Sequence, residues 1–234
     1  MKALVLAGGL GTRLRDRVPD LPKVMAPVAG RPFLEYVLDG LQAGGMRQII
    51  LSVGYKSAEI IGHFGDRYRD TAIRYAIESE PLGTGGAIVH ALSAEPAEPV
   101  LVLNGDTLLG IDYRELRCWY AATPAKVAVV LRAVPEVARY GSVLTSGERV
   151  LGFEEKGKTG PGLINAGMYV IEPRVFGELG FSGKFSFEVD FLQPHCAALR
   201  PRAYVSGGYF IDIGIPADFD RAQNEFPKLA QSRG

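Results

Sequence analysis

Cysteine, histidine and net charge are all scarce in this chain. Cys118 and Cys196 are its only cysteines and lie far apart. That excludes a multi-bridge disulfide scaffold and fits a reduced compartment, although one bridge between them stays open. His63, His90 and His195 lack the spacing of a metal-binding set. Lys+Arg and Asp+Glu number 26 each, so the formal net charge is zero and nothing is suited to coating a nucleic acid. Any anion must be held by a local site. Long apolar runs are missing too. The opening run, Ala3 to Ala7, meets glycines and Arg13 at once, too short for a secretory leader, and no later run approaches a membrane span. Linkers, repeats and low-complexity tracts are absent, as is a serine nucleophile elbow. The expectation is a cytoplasmic protein with neither a membrane nor a nucleic-acid partner. Its oligomeric state is open.

What is present is a core. With 234 residues, 47% hydrophobic and 22% charged, the chain has the balance of a globular domain. Lys2–Ala7, Gln48–Val53, Ala72–Ile77 and Pro99–Leu103 read as strands. Between them Pro32–Ala43, Ser57–Phe64 and Gly85–Leu92 have helical spacing, with Phe33, Tyr36, Val37, Leu38 and Leu41 on one stripe. Such alternation implies an α/β fold whose ligands sit at the carboxyl ends of the strands. The residues just after Ala7, Ile77 and Leu103 are therefore the places to look. Further on, Lys126–Arg132, Gly141–Thr145, Val150–Glu154 and Leu163–Ile171 read as strands, with turns at Ser146-Gly147 and within Gly157–Gly162. The pattern predicts one helix near Phe187–Leu199, another over Pro216–Asn224, and a frayed end at Gln231–Gly234.

The first chemical feature is Leu6-Ala7-Gly8-Gly9-Leu10-Gly11-Thr12-Arg13, where the first strand ends. Glycines let the backbone turn and approach a ligand, and successive free N–H groups form an anion nest. Leu14 stands where a dinucleotide fingerprint needs a third glycine, and no Gly-Lys-Ser/Thr follows as in a Walker loop. Arg13 and Lys23 then supply a bidentate and a movable cation. Three glycines alone are equally explained by a tight turn beside a surface arginine. The second feature is the loop Glu80-Pro81-Leu82-Gly83-Thr84-Gly85-Gly86, and the third is Leu103-Asn104-Gly105-Asp106. A carboxylate at a strand end facing a phosphate loop is suited to Mg²⁺, which favours oxygen ligands plus phosphates.

The ordered run Gly8-Gly9-x-Gly11-Thr12-Arg13-Leu14, then Pro22-Lys23, then Pro27-Val28-x-Gly30-x-Pro32 resembles the sugar-1-phosphate nucleotidyltransferase family, from Met1 to about Asn224. The resemblance implies a Rossmann-like fold, with a mixed, mostly parallel central sheet flanked by helices. It implies one domain over 1–234, with a nucleotide-binding half of about 1–110 and a sugar-binding half of about 111–225. Nucleotide contacts would come from Leu6, Ala7, Gly8, Gly9, Gly11, Thr12, Arg13, Glu80, Gly83, Thr84 and Asn104. Glu80 is suited to accept from the two adjacent donors of guanine. Arg13, Lys23 and Asp106 would be catalytic, and Asp106 with Asp212 would hold Mg²⁺. Gly141, Glu155, Lys156, Asn165 and Glu188 match the family's sugar-phosphate pocket, although 154–158 also reads as a solvated charged turn. Within the family, Arg31–Tyr36, Ser52–Lys56, Glu80–Gly86 and Phe210–Pro216 are similar to D-glycero-α-D-manno-heptose 1-phosphate guanylyltransferases. The implied partners are GTP and a sugar 1-phosphate. Mannose 1-phosphate guanylyltransferases and N-acetylmuramate 1-phosphate uridylyltransferases share most of these motifs. A non-catalytic nucleotide-sugar sensor is the alternative of another class, against which Arg13, Lys23, Asp106 and Asp212 all stand.

Overall fold

Ala3, Leu4 and Val5 are fully buried in the first strand, β1 (Lys2–Leu6), with Ala3 and Val5 in one core and Leu4 in the other. A strand buried on both faces belongs at the centre of a sheet covered by helices on each side. The computed structural model describes residues 1–9, 11–14, 17–95 and 98–231, without the side chains of 229–231. Leu10 of the glycine run and 232–234 of the expected frayed end lie outside the described residues.

In chain order β1 is followed by β2 (Pro27–Val28), β3 (Arg31–Pro32), α1 (Phe33–Ala43), β4 (Gln48–Val53) and α2 (Ser57–Phe64). Next come β5 (Arg67–Tyr68), β6 (Thr71–Ile77), α3 (Gly83–Leu92), β7 (Val100–Asn104), β8 (Thr107–Leu109) and α4 (Tyr113–Ala122). The second half holds β9 (Val127–Val134), β10 (Val143–Ser146), β11 (Arg149–Phe153), β12 (Gly162–Ile171) and α5 (Arg174–Glu178). A π-helical segment (Phe187–Leu192), α6 (Cys196–Leu199), β13 (Arg202–Ser206), β14 (Phe210–Asp212) and α7 (Pro216–Gln231) complete it.

Ten strands form one sheet in the order β10-β11-β13-β9-β12-β7-β1-β4-β6-β5. The strands β1, β4, β6, β7, β9, β10 and β13 point one way, and β5, β11 and β12 the other. The fold is mixed α/β with a mostly parallel central sheet. In the first half the register aligns Leu6 with Ser52 and with Asn104, so β1, β4 and β7 end at one edge. One face packs α1, α2, α4 and α7 through residues such as Phe33, Ile60, Leu116 and Phe226. The other packs α3, α5 and the π-helical segment through Ile88, Phe176, Phe187 and Phe191. The glycine pair ending α1 sets its exit: Gly45, with φ +83°, and Met46 donate to Gln42 and Leu41 carbonyls, the two bonds of a Schellman cap.

Three features depart from the expected elements. The stretch 187–199 is not one helix, because Pro194 has no N–H to donate and the segment breaks between Leu192 and Cys196. The last helix continues through Pro227 to Gln231, beyond Asn224. Helix α4 and strand β13 have no counterpart among the expected elements. Asp112 caps α4 by accepting from the N–H groups of Arg114 (2.8 Å) and Glu115 (3.2 Å). Cys118 is exposed and Cys196 buried, and they are not bridged. Among the described residues no helix is long and apolar enough to cross a membrane.

Candidate active site

The carboxyl ends of β1 and β7 and the entry to α3 enclose a cavity of about 300 Å³. Leu6, Gly8 and Gly9 line it from the first, Asn104 and Asp106 from the second, and Gly83 and Thr84 from the third. Lys23 enters from the side. Eight residues expected from sequence therefore converge here. Ala7 lies buried under the loop, its N–H donating to the Ser52 carbonyl at 2.8 Å. Thr12 and Arg13 are exposed on the turn that follows. Gly11 adopts φ +59°, and a Cβ there would lie 2.9 Å from the Cβ of Lys23. A glycine is thus required where the nest folds onto the lysine.

The charges are concentrated around Lys23. Its ammonium pairs with Asp106. The short pairing of β8 with β14 sets Asp212 opposite Thr107, and the N–H of Ile213 donates to the Asp106 carbonyl at 3.0 Å. Asp212 is thereby brought beside Asp106 across 106 positions of sequence. The Asp212 carboxyl is pushed above the ordinary carboxylate range, first by burial and next by the charge of Asp106. Lys23 and the N–H of Gly214, which donates to Asp212 Oδ1 at 2.7 Å, oppose that shift. Two crowded carboxylates with oxygen-only donors fit a hard divalent cation.

Glu80 is exposed and takes no part in the cavity lining. Glu78, two residues earlier, does line it. Glu78 Oε1 accepts from Ser52 Oγ at 3.0 Å, and Oε2 accepts from the Leu82 N–H at 3.3 Å. A Cβ on Gly8 would lie 2.8 Å from Glu78 Oε1, so the carboxylate lies directly against the nest. Its sequence signal was its position, immediately after Ile77 at the end of β6.

On the sugar-side segments the structure unites only part of the expected set. Asn165 Nδ2 donates to Glu188 Oε1 at 3.1 Å and to the hydroxyl of Tyr169 at 2.8 Å. A bulge in β12 after Asn165 puts Gly167 at φ +67°, where a Cβ would lie 2.5 Å from Asn104 Nδ2. That glycine joins the two halves of the site. Gly141, Glu155 and Lys156 lie outside the cavity lining; Gly141 is buried, and Glu155 and Lys156 are exposed on a turn in which Glu154 pairs with Lys158. Gly141 packs under that turn, since a Cβ there would lie 2.6 Å from the Glu154 carbonyl oxygen. A roomier hollow of about 800 Å³ beside Tyr36, Tyr113 and Tyr209 contains none of the expected site residues.

The nucleotidyl transferase family profile matches residues 2–228. The chain belongs to this family. It is 44% identical over 225 residues to the D-glycero-alpha-D-manno-heptose 1-phosphate guanylyltransferase of Aneurinibacillus thermoaerophilus, covering 96% of this chain and 98% of that protein. Identity to the enzyme of the same name from Campylobacter jejuni is 41% over 220 residues, covering 94% and 97%. The crystal structure of HddC from Yersinia pseudotuberculosis complexed with GMP-PN superposes with a TM-score of 0.84 at 37% identity, covering 96% of this chain and 99% of that one.

Proposed function

We propose that this nucleotidyltransferase transfers a guanylyl unit from GTP to a sugar 1-phosphate, with D-glycero-α-D-manno-heptose 1-phosphate as the preferred acceptor. The observation that carries the reading is the convergence of the glycine nest, Lys23, Asp106 and Asp212 at one edge of the sheet. The similarity to heptose 1-phosphate guanylyltransferases over nearly the full length of both chains supports the substrate pair.

The physical problem is to bring two polyanions together. Two unit charges 4 Å apart repel by about 1 kcal/mol in water and about 4 kcal/mol at the effective dielectric of a partly buried site. The N–H groups of the nest and the cations Lys23 and Arg13 offset that repulsion. An oxygen of the sugar phosphate attacks the α-phosphorus of GTP, forming one P–O bond. The bond to the β-phosphate oxygen breaks, and pyrophosphate leaves with that electron pair. The attacking oxygen is already ionised, so no general base is needed. Catalysis is positioning plus charge stabilisation. Asp106 and Asp212 would hold a Mg²⁺ ion, which supplies positive charge to the phosphate oxygens when bound. Lys23 would act nearest the α-phosphate and the incoming phosphate, and Arg13 on the pyrophosphate side. Glu155 and Lys156, on their exposed turn, would complete the grip on the sugar phosphate.

The test is pyrophosphate release by the purified protein across a grid of nucleoside triphosphates and sugar 1-phosphates. The highest kcat/KM is expected for GTP with the heptose 1-phosphate, with mannose 1-phosphate a weaker acceptor. Preference for UTP or dTTP would overturn the guanylyl assignment, and no release from any pair would overturn the proposal.

A further inference from the structure

Tyr169 is among the largest fully buried side chains of the protein, and by composition it is a core residue of β12. Its ring lies edge-on to Phe187, with centroids 4.7 Å apart, in the layer that also holds Phe176 and Phe191. Its hydroxyl is not idle. It donates to Glu188 Oε1 and accepts from Asn165 Nδ2, so a buried polar group is fully paired inside an aromatic layer. Asn165 Nδ2 also reaches Glu188 Oε1, which closes a triangle of three groups. The Asn165 amide is itself oriented, because its Oδ1 accepts from the N–H of Gly167 at 3.0 Å.

The bulge makes this triangle. Asn165 pairs with Leu131 and Tyr169 with Val129 on the neighbouring strand. The two residues are four apart in β12 but lie opposite positions only two apart, about 7 Å along a strand and on one face. In a regular strand, with no bulge, the four residue steps from Asn165 to Tyr169 would span about 13 Å. Among the described residues nothing else bonds to the side chain of Glu188, so its Oε2 remains available as an acceptor.

We propose that Tyr169 is a positioning residue for the acceptor side of the site, fixing the Glu188 carboxylate and the Asn165 amide at the spacing that receives sugar hydroxyls. The inference rests on the proposed role of Asn165 and Glu188 as sugar contacts. The hydroxyl itself touches no reactant. It holds one oxygen of Glu188 and one hydrogen-bonding arm of Asn165 so that the remaining oxygen presents to substrate without reorganisation.

Tyr169→Phe removes the hydroxyl and keeps the ring in place. Its expected effect is a rise of about tenfold in KM for the sugar 1-phosphate, as the loss of a hydrogen bond to a charged group implies. The KM for GTP and kcat should stay within about twofold. A structural role alone, acting through loss of folded protein, would lower the apparent kcat and leave both KM values unchanged. Asn165→Ala and Glu188→Gln, measured alongside, separate the two readings. If both raise the sugar KM while Tyr169→Phe does not, the inference is overturned and the sugar site stands. If neither raises it, the sugar-site reading falls and takes the inference with it. Should Tyr169→Phe fail to fold, 4-aminophenylalanine at position 169 keeps a donor on the ring. Its amine donates to Glu188 but accepts only weakly from Asn165, so the sugar KM is expected to rise less than in Glu188→Gln, and a rise as large as that variant's overturns the proposal.

Discussion

The backbone N–H of Phe187 donates to Thr84 Oγ1 at 2.9 Å, joining residues 103 positions apart. It is one of several bonds between the loop at the head of α3 and the segment that carries Glu188. The Phe185 N–H donates to the Leu82 carbonyl, and the N–H groups of Gly85 and Gly86 donate to the Phe185 carbonyl. The loop expected to meet the base and the acid expected to meet the sugar are thus parts of one hydrogen-bonded unit. Thr84→Val keeps the shape and removes the acceptor, leaving the N–H of the buried Phe187 unpaired. A loss of about 1 kcal/mol in stability is expected, with Thr84→Ser restoring it. Chemical denaturation of the two variants checks this, and equal stabilities would detach Thr84 from that role.

Gly85 offers a steric test of the same unit. A Cβ at this position would lie 2.1 Å from Phe185 Cε2. The Phe185 ring is buried against Phe176, Phe181 and Phe191, which restrict its turning. Gly85→Ala is therefore expected to destabilise by about 1–3 kcal/mol through overpacking. An unchanged denaturation midpoint would mean that the ring yields more easily than its neighbours imply.

The elements most plainly legible in the sequence include those whose burial is uniform. Strands β1, β4 and β7 are covered on both faces and read as largely apolar runs. Strand β13 is not uniform, because only Ala203 and Ser206 are buried while Arg202 and Tyr204 are half-buried and Val205 is exposed. In α4 only Tyr113, Leu116 and Tyr120 are buried amid charged neighbours, so its stripe is thin even though Asp112 marks its start. Site residues follow a similar rule. The nest, Lys23, Asp106 and Asp212 announce themselves by residue type at strand ends. Tyr169 reads as plain core, since its role exists only once a bulge brings Asn165 over it. Glu78 and Glu80 are chemically identical in the sequence, and only the path of the loop decides which faces the cavity.

Asp212 yields a prediction of unusual sign. Its folded-state pKa is raised, by burial first and by Asp106 next. A carboxyl raised above its unfolded value of about 3.9 holds its proton more tightly in the folded protein, so ionising it costs stability. The cost is absent below the unfolded value and fully present once pH has risen through the folded one. In chelator-treated protein at neutral pH, Asp212→Asn should therefore raise Tm, and the gain should fade as pH falls through the acidic range. Turnover should drop at least about a hundredfold, as for a lost electrostatic stabiliser. A lowered Tm at neutral pH would contradict the first expectation, and near-normal turnover at saturating Mg²⁺ the second.

The two glutamates at the head of the loop before α3, Glu78 and Glu80, give the sharpest test of the proposed nucleotide choice. Guanine presents two adjacent donors, the N1–H and the exocyclic amine, which a carboxylate can accept together. Adenine places an acceptor where guanine has the N1–H, leaving buried groups unpaired at about 1–3 kcal/mol each. Glu78 lines the cavity against Gly8, and its two oxygens have lone pairs beyond those engaged by Ser52 and Leu82. Glu80 is exposed and outside the lining. Glu78→Gln exchanges one acceptor for a donor of the same size. It is expected to lower kcat/KM for GTP at least about tenfold and to narrow the GTP-to-ATP ratio, whereas Glu80→Gln should stay within about threefold of the native protein. Competition between GTP and ATP at fixed sugar 1-phosphate measures both. If Glu80→Gln collapses the ratio while Glu78→Gln leaves it intact, base recognition belongs to Glu80, and the loop must move to bring that side chain inward when nucleotide binds.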